Sequence, residues 1–315
     1  MKLHSAALSA ATLFAVLCFA YPLSALTPSA ALAQGRIDEA IAMLSPAKDA
    51  AAHNLLCRAY YAEEHTDEAI RECEAAVSAA PGDASYHLWL GRAYGLKAGR
   101  VGAFNAFGLA KKSRAAMEKA VQLDPHSADA LSDLGDFCVE APGVVGGGMD
   151  KANALAQRLL AMDAPRGHRL LGEIAEKQKN YPRALQEFTA SATGAHTAAG
   201  FVDLGSYYKR RGDKAQVLAA VKNAAAADKA RDYSVADAAG LLVETGQASR
   251  LAQQLYRSYL DGPSRTEDAP AFRVYTQLGH SLAADGDSAA AQKAYAAALA
   301  LAKNFVPAQK AAAGK

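Results

Sequence analysis

The stretch AAAHNLLCRAYYAEEHTDEAIRECEAAVSAAPGD, residues 50–83, decides the fold because it holds two short helical patterns separated by a turn. Leu56 lies on the apolar face of the first pattern, and Ala69 and Cys73 lie four residues apart on the second. Pro81 then stops the second helix, because proline lacks the N–H that a continuing helix needs. Small residues on the facing surfaces let two such backbones approach closely. The stretch therefore predicts a helical hairpin.

The same hairpin pattern recurs along almost the whole chain. We predict units at 50–83, 84–126, 127–164, 165–197, 198–231 and 232–260 within an array that spans 34–260, then a linker at 261–271 and a last unit with a capping helix at 272–315. One such unit cannot bury its apolar face alone, so neighbouring units must stack on it. The polar segment 261–268 is the best candidate for a hinge.

Each unit resembles the tetratricopeptide repeat, with its pattern W-x2-L-G-x2-Y…A-x3-F…P over roughly 34 residues. In the first unit His53 takes the tryptophan position and Cys57 the glycine position. The resemblance implies an all-α solenoid of about seven helical hairpins, wound as a right-handed superhelix. It also implies a concave groove, lined by the first helix of each hairpin, that binds peptides or partner proteins.

Two insertions interrupt this pattern. Residues 98–110 delay the second helix of one unit and carry Phe104 and Phe107, two aromatics in a chain with few of them. Insertions in such arrays map to loops on one face, often the binding face. The alternative is that the rings pack back on the solenoid. Residues 140–149 carry a run of glycines, which favours a turn over a phosphate site because no Gly-Lys-Ser/Thr follows.

The N-terminal residues 1–33 have the pattern of a signal peptide. Lys2 precedes an apolar run at 6–20, and Ala31-Leu32-Ala33 is a cleavage motif, with Ala25 as the weaker alternative. The run is shorter than the roughly 20 residues that a membrane span requires. We therefore expect export to the periplasm or beyond, with no integral span after cleavage. Retention of the segment as an anchor is the other possibility.

The cysteines allow two interpretations. Cys57 and Cys73 are expected on facing helices of one hairpin, where an oxidising compartment would let them form a disulfide. Alternatively, both are small apolar residues that fill positions where the repeat has glycine and phenylalanine. The spacing alone leaves both interpretations open.

Composition argues against several classes of function. The net charge is only +2, and the densest basic cluster is Lys111-Lys112 with Arg114, so we expect no nucleic-acid partner. The histidines are scattered, and no HExxH or GxSxG motif occurs. We therefore predict no catalytic residues, no metal and no cofactor. The favoured function is a non-enzymatic scaffold for a protein or peptide partner, and the alternative is a fixed adaptor subunit of a cell-envelope or secretion assembly.

Groove residues are predicted from their positions on the first helices. The candidates are Asn54, Arg58, Tyr61, Arg92, Arg169, Glu173, Lys209 and Arg273, and equivalent positions are held by Asp129, Ser132, Asp136, Arg166 and Val202. Asn54, Arg58 and Arg92 form a hypothetical donor-rich patch for a carboxylate, because arginine presents a planar fork of N–H groups. The family's carboxylate clamps are similar only in part, since their Lys and Asn set is not reproduced.

Overall fold

The computed structural model describes residues 26–194, 196–228, 233–263 and 265–314, and these residues contain helices but no strands. The predicted n-region, apolar run and Ala25 lie outside the described residues. The helices are α1 (Pro28–Ala33), α2 (Ile37–Leu44), α3 (Ala50–Ala62), α4 (Thr66–Ala79), α5 (Ala84–Ala98), α6 (Ala103–Leu123), α7 (Ala128–Glu140), α8 (Met149–Met162), α9 (Ala164–Lys177), α10 (Tyr181–Gly194), α11 (Ala198–Arg210), α12 (Lys214–Ala227), α13 (Tyr233–Glu244), α14 (Ser249–Leu260), α15 (Ala271–Ala284), α16 (Ser288–Leu301) and α17 (Val306–Ala312).

Consecutive helices pair as hairpins from α3/α4 to α15/α16, which confirms the predicted all-α repeat fold. Short polar residues start many of the helices. The Asp49 carboxylate accepts the Ala52 N–H at 2.8 Å, and the Thr197 hydroxyl accepts the Gly200 N–H at 3.2 Å. Each such cap satisfies an N–H group that has no partner inside its helix and contributes about 1 kcal/mol. The caps therefore mark the hairpin boundaries.

Small residues allow close packing at the predicted positions. A Cβ added at Gly91 would lie 2.7 Å from Cγ of Met117, on the second helix of the same hairpin. A Cβ added at Gly135 would lie 2.4 Å from Cδ2 of Leu170, on the first helix of the next hairpin. Glycine thus serves contacts within and between repeats, because any side chain there would displace its neighbour.

The two ends of the array contact each other. We call the packing of α1–α3 against α15–α17 the closure seam. Phe272 of α15 is fully buried, and its ring lies 4.8 Å from that of Phe305, centroid to centroid. Leu32 and Ile37 belong to the same apolar cluster. The terminal repeats therefore cover each other's apolar faces, and the ends of the solenoid are not open.

The folded array begins earlier than residue 34, the predicted boundary. Residues 28–33 form α1, in which Ala31 and Leu32 are buried against the closure seam. Gly35 follows with φ 72°, and a Cβ there would lie 2.6 Å from the backbone nitrogen of Ala271. Residues assigned to the leader by sequence are thus part of the packed structure. Signal-peptide cleavage itself stays a prediction.

The first insertion is helical, so the expectation of a loop at 98–110 is wrong. After a turn, α6 runs for 21 residues from Ala103, longer than its 15-residue partner α5. We call its first part, residues 103–112, the spur. Phe104 is 94% exposed and Phe107 is 41% exposed. The rings therefore do not pack back on the solenoid.

The second insertion forms a tight turn that contains a short 3-10 helix, Gly143–Val145. Gly146 has φ 98°, a left-handed conformation that glycine adopts without strain. A Cβ on Gly147 would lie 1.9 Å from the Ala141 carbonyl oxygen, so only glycine fits there. The Lys151 ammonium donates to the Gly146 carbonyl at 3.0 Å. The glycine run thus serves close backbone packing.

The described residues of the linker form hydrogen bonds with the rest of the array, and the interpretation of this segment as a hinge stays a prediction. The Tyr259 hydroxyl donates to the Ala269 carbonyl at 2.7 Å and accepts the Thr266 N–H at 3.0 Å. Glu267 forms an ion pair with Arg58 on the opposite end of the array. A buried tyrosine hydroxyl requires hydrogen-bond partners, and the linker supplies both partners of Tyr259.

The disulfide interpretation is confirmed. Cys57 of α3 and Cys73 of α4 are bonded, with their Cα atoms 5.1 Å apart. Both residues are buried in a cluster that includes Ala69, so the bond also fills the small space between the two helices. Cys138 is a buried free thiol, and burial raises its pKa.

Candidate partner-binding site

The first helices of successive hairpins line two adjoining cavities on the inner wall of the array. The first, which we call the clamp cavity, has a volume of about 290 Å³, and its lining includes Arg58, Tyr61, Glu64, Trp89, Arg92, Glu267, Asp268 and Arg273. The second, the central cavity, has a volume of about 500 Å³, and its lining includes Arg92, Asp129, Ser132, Asp133, Asp136, Arg166, Arg169, Val202, Asp203, Asp237 and Asp268. Arg92 and Asp268 border both cavities, so the inner surface is continuous.

Arg58 in the clamp cavity already holds a carboxylate of the same chain. Its Nε and Nη2 donate to the two oxygens of Glu267 at 2.8 and 2.5 Å. This is the bidentate geometry that makes arginine effective for carboxylates. Burial raises the pKa of Glu267, while the guanidinium of Arg58 opposes that rise.

Trp89 is enclosed by cations and an aromatic ring. The guanidinium carbons of Arg58 and Arg92 lie 5.1 and 4.7 Å from its ring centroid. The Tyr61 ring meets it edge-on at 5.5 Å. Cations over an indole face are attracted by the ring quadrupole. The tryptophan therefore organises the two arginines on one side of the clamp cavity.

Arg273 completes the clamp cavity from the last repeat. Its Nε and Nη2 donate to the Ala62 carbonyl at 2.9 and 2.7 Å, and Nη2 lies 3.0 Å from the Glu64 carboxylate. Burial lowers the pKa of Arg273, and the nearby Glu64 opposes that shift. The bonds cross the closure seam, so this cavity exists only because the two ends meet.

The hypothesis that Asn54, Arg58 and Arg92 hold a partner's carboxylate stays a prediction, and the structure shows that both arginines are paired with acids of this chain. Arg58 is paired with Glu267, and the Arg92 Nε donates to Asp133 at 2.5 Å. Asn54 is buried, and its Oδ1 has no hydrogen-bond partner among the described atoms. Because the Asn54 side chain is buried, it is not open to a partner in the groove.

Arg169 is the centre of a charge network in the central cavity. It donates to the Ser132 hydroxyl at 2.7 Å, to Asp136 at 2.8 Å and to Glu173 at 2.5 Å. Burial raises the pKa of Asp203 to about 6, and the Asp136 charge adds to that rise while Arg169 opposes it. Burial also raises the pKa of Glu173. Carboxylates are thus crowded around one guanidinium.

Carboxylates outnumber cations around the central cavity. Its lining includes Asp129, Asp133, Asp136, Asp203, Asp237 and Asp268, against Arg92, Arg166 and Arg169. Opposite charges attract more strongly where the surroundings are partly desolvated. The central cavity therefore favours a cationic group, whereas the clamp cavity presents arginines that the chain's own acids neutralise.

The structure brings most of the predicted groove residues to the inner wall. Arg58, Tyr61, Arg92 and Arg273 meet in the clamp cavity, and Arg169 and Glu173 meet beside the central cavity. The equivalent positions Asp129, Ser132, Asp136, Arg166 and Val202 line the central cavity. Lys209 does not join them, because its ammonium pairs with Glu244 at a separate site. Whether any of these residues contacts a partner stays a prediction.

Several inner-wall residues were not predicted from the sequence. Trp89 lies two positions after His87, which takes the repeat's tryptophan place, and the fact that it is the only tryptophan was the signal that could have singled it out. Glu267 and Asp268 were assigned to a linker. Their role depends on the closure seam, and no periodicity predicts that contact.

The described residues present neither a metal-binding cluster nor a membrane-spanning helix. No group of three or more His, Cys, Asp or Glu residues in that part of the chain is arranged to hold a metal ion. None of its helices is both long enough and apolar enough to cross a membrane. The absence of catalysis, metal and cofactor stays a prediction.

Solved structures similar to this chain are helical repeat proteins. Yeast Tom70 is 12% identical with a TM-score of 0.52, and the match covers 88% of this chain and 59% of that one. A tetratricopeptide protein of Thermus thermophilus, TTC0263, is 18% identical with a TM-score of 0.46 over 64% of this chain and 96% of that one. A chain of the APC/C hetero-tetramer Cut9–Hcn1 is 13% identical with a TM-score of 0.42, over 91% of this chain and 54% of that one.

This chain thus spans little more than half the length of the Cut9–Hcn1 chain and of Tom70. No curated protein matches it. Tetratricopeptide repeat family models match residues 31–93, 146–199 and 272–305, at the start, middle and end of the array. Together with the hairpin architecture, these matches show that the chain belongs to the tetratricopeptide repeat family.

Proposed function

We propose that this chain is a non-enzymatic scaffold that binds a protein or peptide partner along the inner wall. The family and the repeat fold support a protein-interaction scaffold. The observation that carries the proposal is the convergence of charged side chains from seven first helices and the linker on one continuous inner surface.

The charges suggest how a partner would lie. Asp129 and Asp268 are exposed carboxylates on the border of the central cavity, where a cationic side chain would neutralise the acidic excess. The partner's side chains that follow this cationic residue would reach Trp89 and Arg92 at the border of the clamp cavity. An extended segment fits this arrangement, because successive side chains could meet successive first helices.

Site-specific photocrosslinking tests the proposal in the full chain. A photoreactive residue is introduced at position 129, at position 268 or, as a control, at Val306 on α17, which is exposed but lines neither cavity. We expect a discrete crosslinked product in the cell-envelope fraction from the two inner-wall positions and none from position 306. Equal labelling from all three positions, or no product from positions 129 and 268, contradicts inner-wall binding.

We further propose export with cleavage after Ala25 rather than Ala33. Cleavage after Ala33 would remove α1, whose Ala31 and Leu32 fill the closure seam. The Cys57–Cys73 bond is consistent with an oxidising compartment. Mass spectrometry of the isolated protein decides between the sites. A mature N-terminus at residue 34, or a protein found only with cytoplasmic markers, contradicts this proposal.

The alternative is a fixed adaptor subunit of an envelope or secretion assembly. It differs from a free scaffold in stoichiometry, since a subunit co-purifies with one partner at a constant ratio. The photocrosslinked product supplies that measurement. A single partner at constant ratio favours the adaptor, and several partners at varying ratios favour the free scaffold.

A further inference from the structure

The spur is the largest departure of the fold from a compact array. It extends α6 at its N-terminal end, where nearly all side chains from Ala103 to Lys112 are exposed or half-buried. Phe104 has the highest exposure of any large hydrophobic side chain that the structure describes, and Phe107 lies one turn further along the same face. Exposed phenylalanines grouped on one face mark an interaction surface.

The charges around the spur are all of one sign. Every Asp, Glu, Lys or Arg between Asp83 and Glu118 is a cation. The cations nearer α5 are neutralised, since Lys97 pairs with Asp67 and Arg100 with Glu64. The two lysines of the spur itself are not neutralised in this way.

Lys111 and Lys112 contact aromatic rings instead of carboxylates. The Lys111 ammonium lies 4.4 Å from the centroid of Phe107, and the Lys112 ammonium lies 5.1 Å from that of Tyr94. Neither lysine forms an ion pair with a described residue. The next cation along the chain is Arg114, whose Nη1 lies 3.5 Å from Oε1 of Glu118. The spur thus combines exposed phenylalanines with lysines whose charge has no counterpart.

We propose that the spur docks on a membrane surface that contains anionic lipids. Phe104 and Phe107 enter the boundary between headgroups and acyl chains, and Lys111 and Lys112 bind lipid phosphates. An α-helix rises 1.5 Å per residue, so the lysines lie about 10 Å behind the tip. That distance matches the depth to which interfacial aromatic residues enter while flanking lysines stay at the headgroups.

The same features argue against a second copy of this chain as the occupant. A two-fold contact centred on the spur would bring the lysines of the two copies together, and like charges at close distance are unfavourable. An anionic surface instead matches the lysines. It also matches the positive end of the α6 dipole, because the N-cap residue Gly102 makes no side-chain cap. Such docking would hold the array at a membrane.

Vesicle co-sedimentation tests the proposal with the exported full chain. Vesicles of phosphatidylcholine alone are compared with vesicles that contain an equal share of phosphatidylglycerol. We expect binding to the anionic vesicles that weakens with salt, and at least a tenfold higher lipid concentration for half-binding in the double variant Phe104→Ser, Phe107→Ser. Lys111→Gln with Lys112→Gln should abolish the preference for phosphatidylglycerol.

The matched control is Met43→Ser with Val306→Ser, which removes two exposed hydrophobic side chains far along the chain from the spur. It should bind vesicles like the wild type. A retained leader would contribute equally to every variant, so the comparison holds with either N-terminus. Wild-type protein that ignores anionic vesicles, or spur variants that bind as tightly as the wild type, would overturn the proposal.

A second measurement locates the contact directly. In the variant Phe104→Trp, brominated lipids should quench the new indole, whereas a tryptophan placed at Val306 should stay unquenched. Equal quenching at both positions, or none at position 104, contradicts docking through the spur. Self-association in lipid-free buffer that Phe104→Ser with Phe107→Ser removes would assign the surface to a second copy and also overturn the proposal.

Discussion

The closure seam and the spur both depart from the repeat pattern, and they differ in whether the chain supplies a neighbour. Phe272 in the seam is fully buried in an apolar cluster to which both ends of the array contribute, whereas Phe104 in the spur is almost fully exposed. Terminal repeats of a solenoid normally need polar caps because one apolar face has no neighbour. Here each end caps the other. Among the described residues the spur has no such neighbour, so its apolar surface is available for binding.

This difference separates two roles for the same residue type. A phenylalanine in the seam stabilises the fold by removing its ring from water and filling space between helices. A phenylalanine in the spur contributes little to the fold and remains available for binding. The contrast gives four measurable consequences.

The largest effect is expected at the centre of the seam. Phe272→Ala removes a fully buried ring and leaves a cavity, so the free energy of unfolding should fall by about 3–5 kcal/mol. Urea denaturation followed by circular dichroism measures this loss. Limited proteolysis under native conditions should also cut the variant in α1 or α17, because the terminal helices lose their common core.

Phe188→Ala is the matched control, because Phe188 is equally buried but lies in the middle of the array. It should cost a similar free energy without selective cleavage at the two ends. Equal cleavage of the terminal helices in both variants would show that the seam is not a separate contact.

The next effect concerns the ion pair that ties the linker to the first repeat. Arg58→Ala leaves the Glu267 carboxylate half-buried without its guanidinium, and we expect a loss of about 2 kcal/mol, typical of hydrogen bonds to charged groups. A double-mutant cycle with Glu267→Ala measures the coupling between the two side chains. A coupling energy of zero would mean that the pair does not hold the seam.

The free energy of unfolding should depend on pH through Asp203 of the inner wall. The folded state raises the pKa of Asp203 from 3.8 to about 6, so it binds more protons than the unfolded state between these values. Stability from this group is therefore present below about pH 4 and is lost as the pH rises through 6. Asp203→Asn should remove this loss.

Urea midpoints of wild type and Asp203→Asn between pH 4 and 8 measure this difference. The variant should gain stability relative to the wild type as the pH rises. A difference that is constant with pH contradicts the raised pKa. Phe104→Ala, remote from this network, should show no such trend.

The smallest effect on stability is expected at the spur. Phe104→Ala removes a side chain that is exposed in the fold, so the free energy of unfolding should change by no more than about 0.5 kcal/mol. Urea denaturation in the absence of lipid measures it. A loss comparable to that of Phe272→Ala would show that the spur packs on the array and would remove the basis of the comparison.

The sequence by itself determined the repeated hairpin and most residues of the inner wall. Positions on a first helix follow from its period, so Arg58, Arg92 and Arg169 could be placed on one surface before their contacts were known. The facing cysteines followed from the same register, although sequence left their bond undecided. Local spacing is sufficient for these inferences because each repeat contacts mainly its neighbours along the chain.

Only the tertiary structure decided how the ends meet and which charges are already paired. Arg58 and Glu267 are separated by 209 residues, and the small rotations of all intervening repeats add up to bring them together. No sequence pattern reports the total of these rotations. From the sequence alone, Glu267 was therefore assigned to a linker, and Arg58 was predicted to be free to bind a partner's carboxylate. The spur needed the structure for the opposite reason. The sequence left open whether its phenylalanines pack on the array, and the structure shows that no described residue covers Phe104.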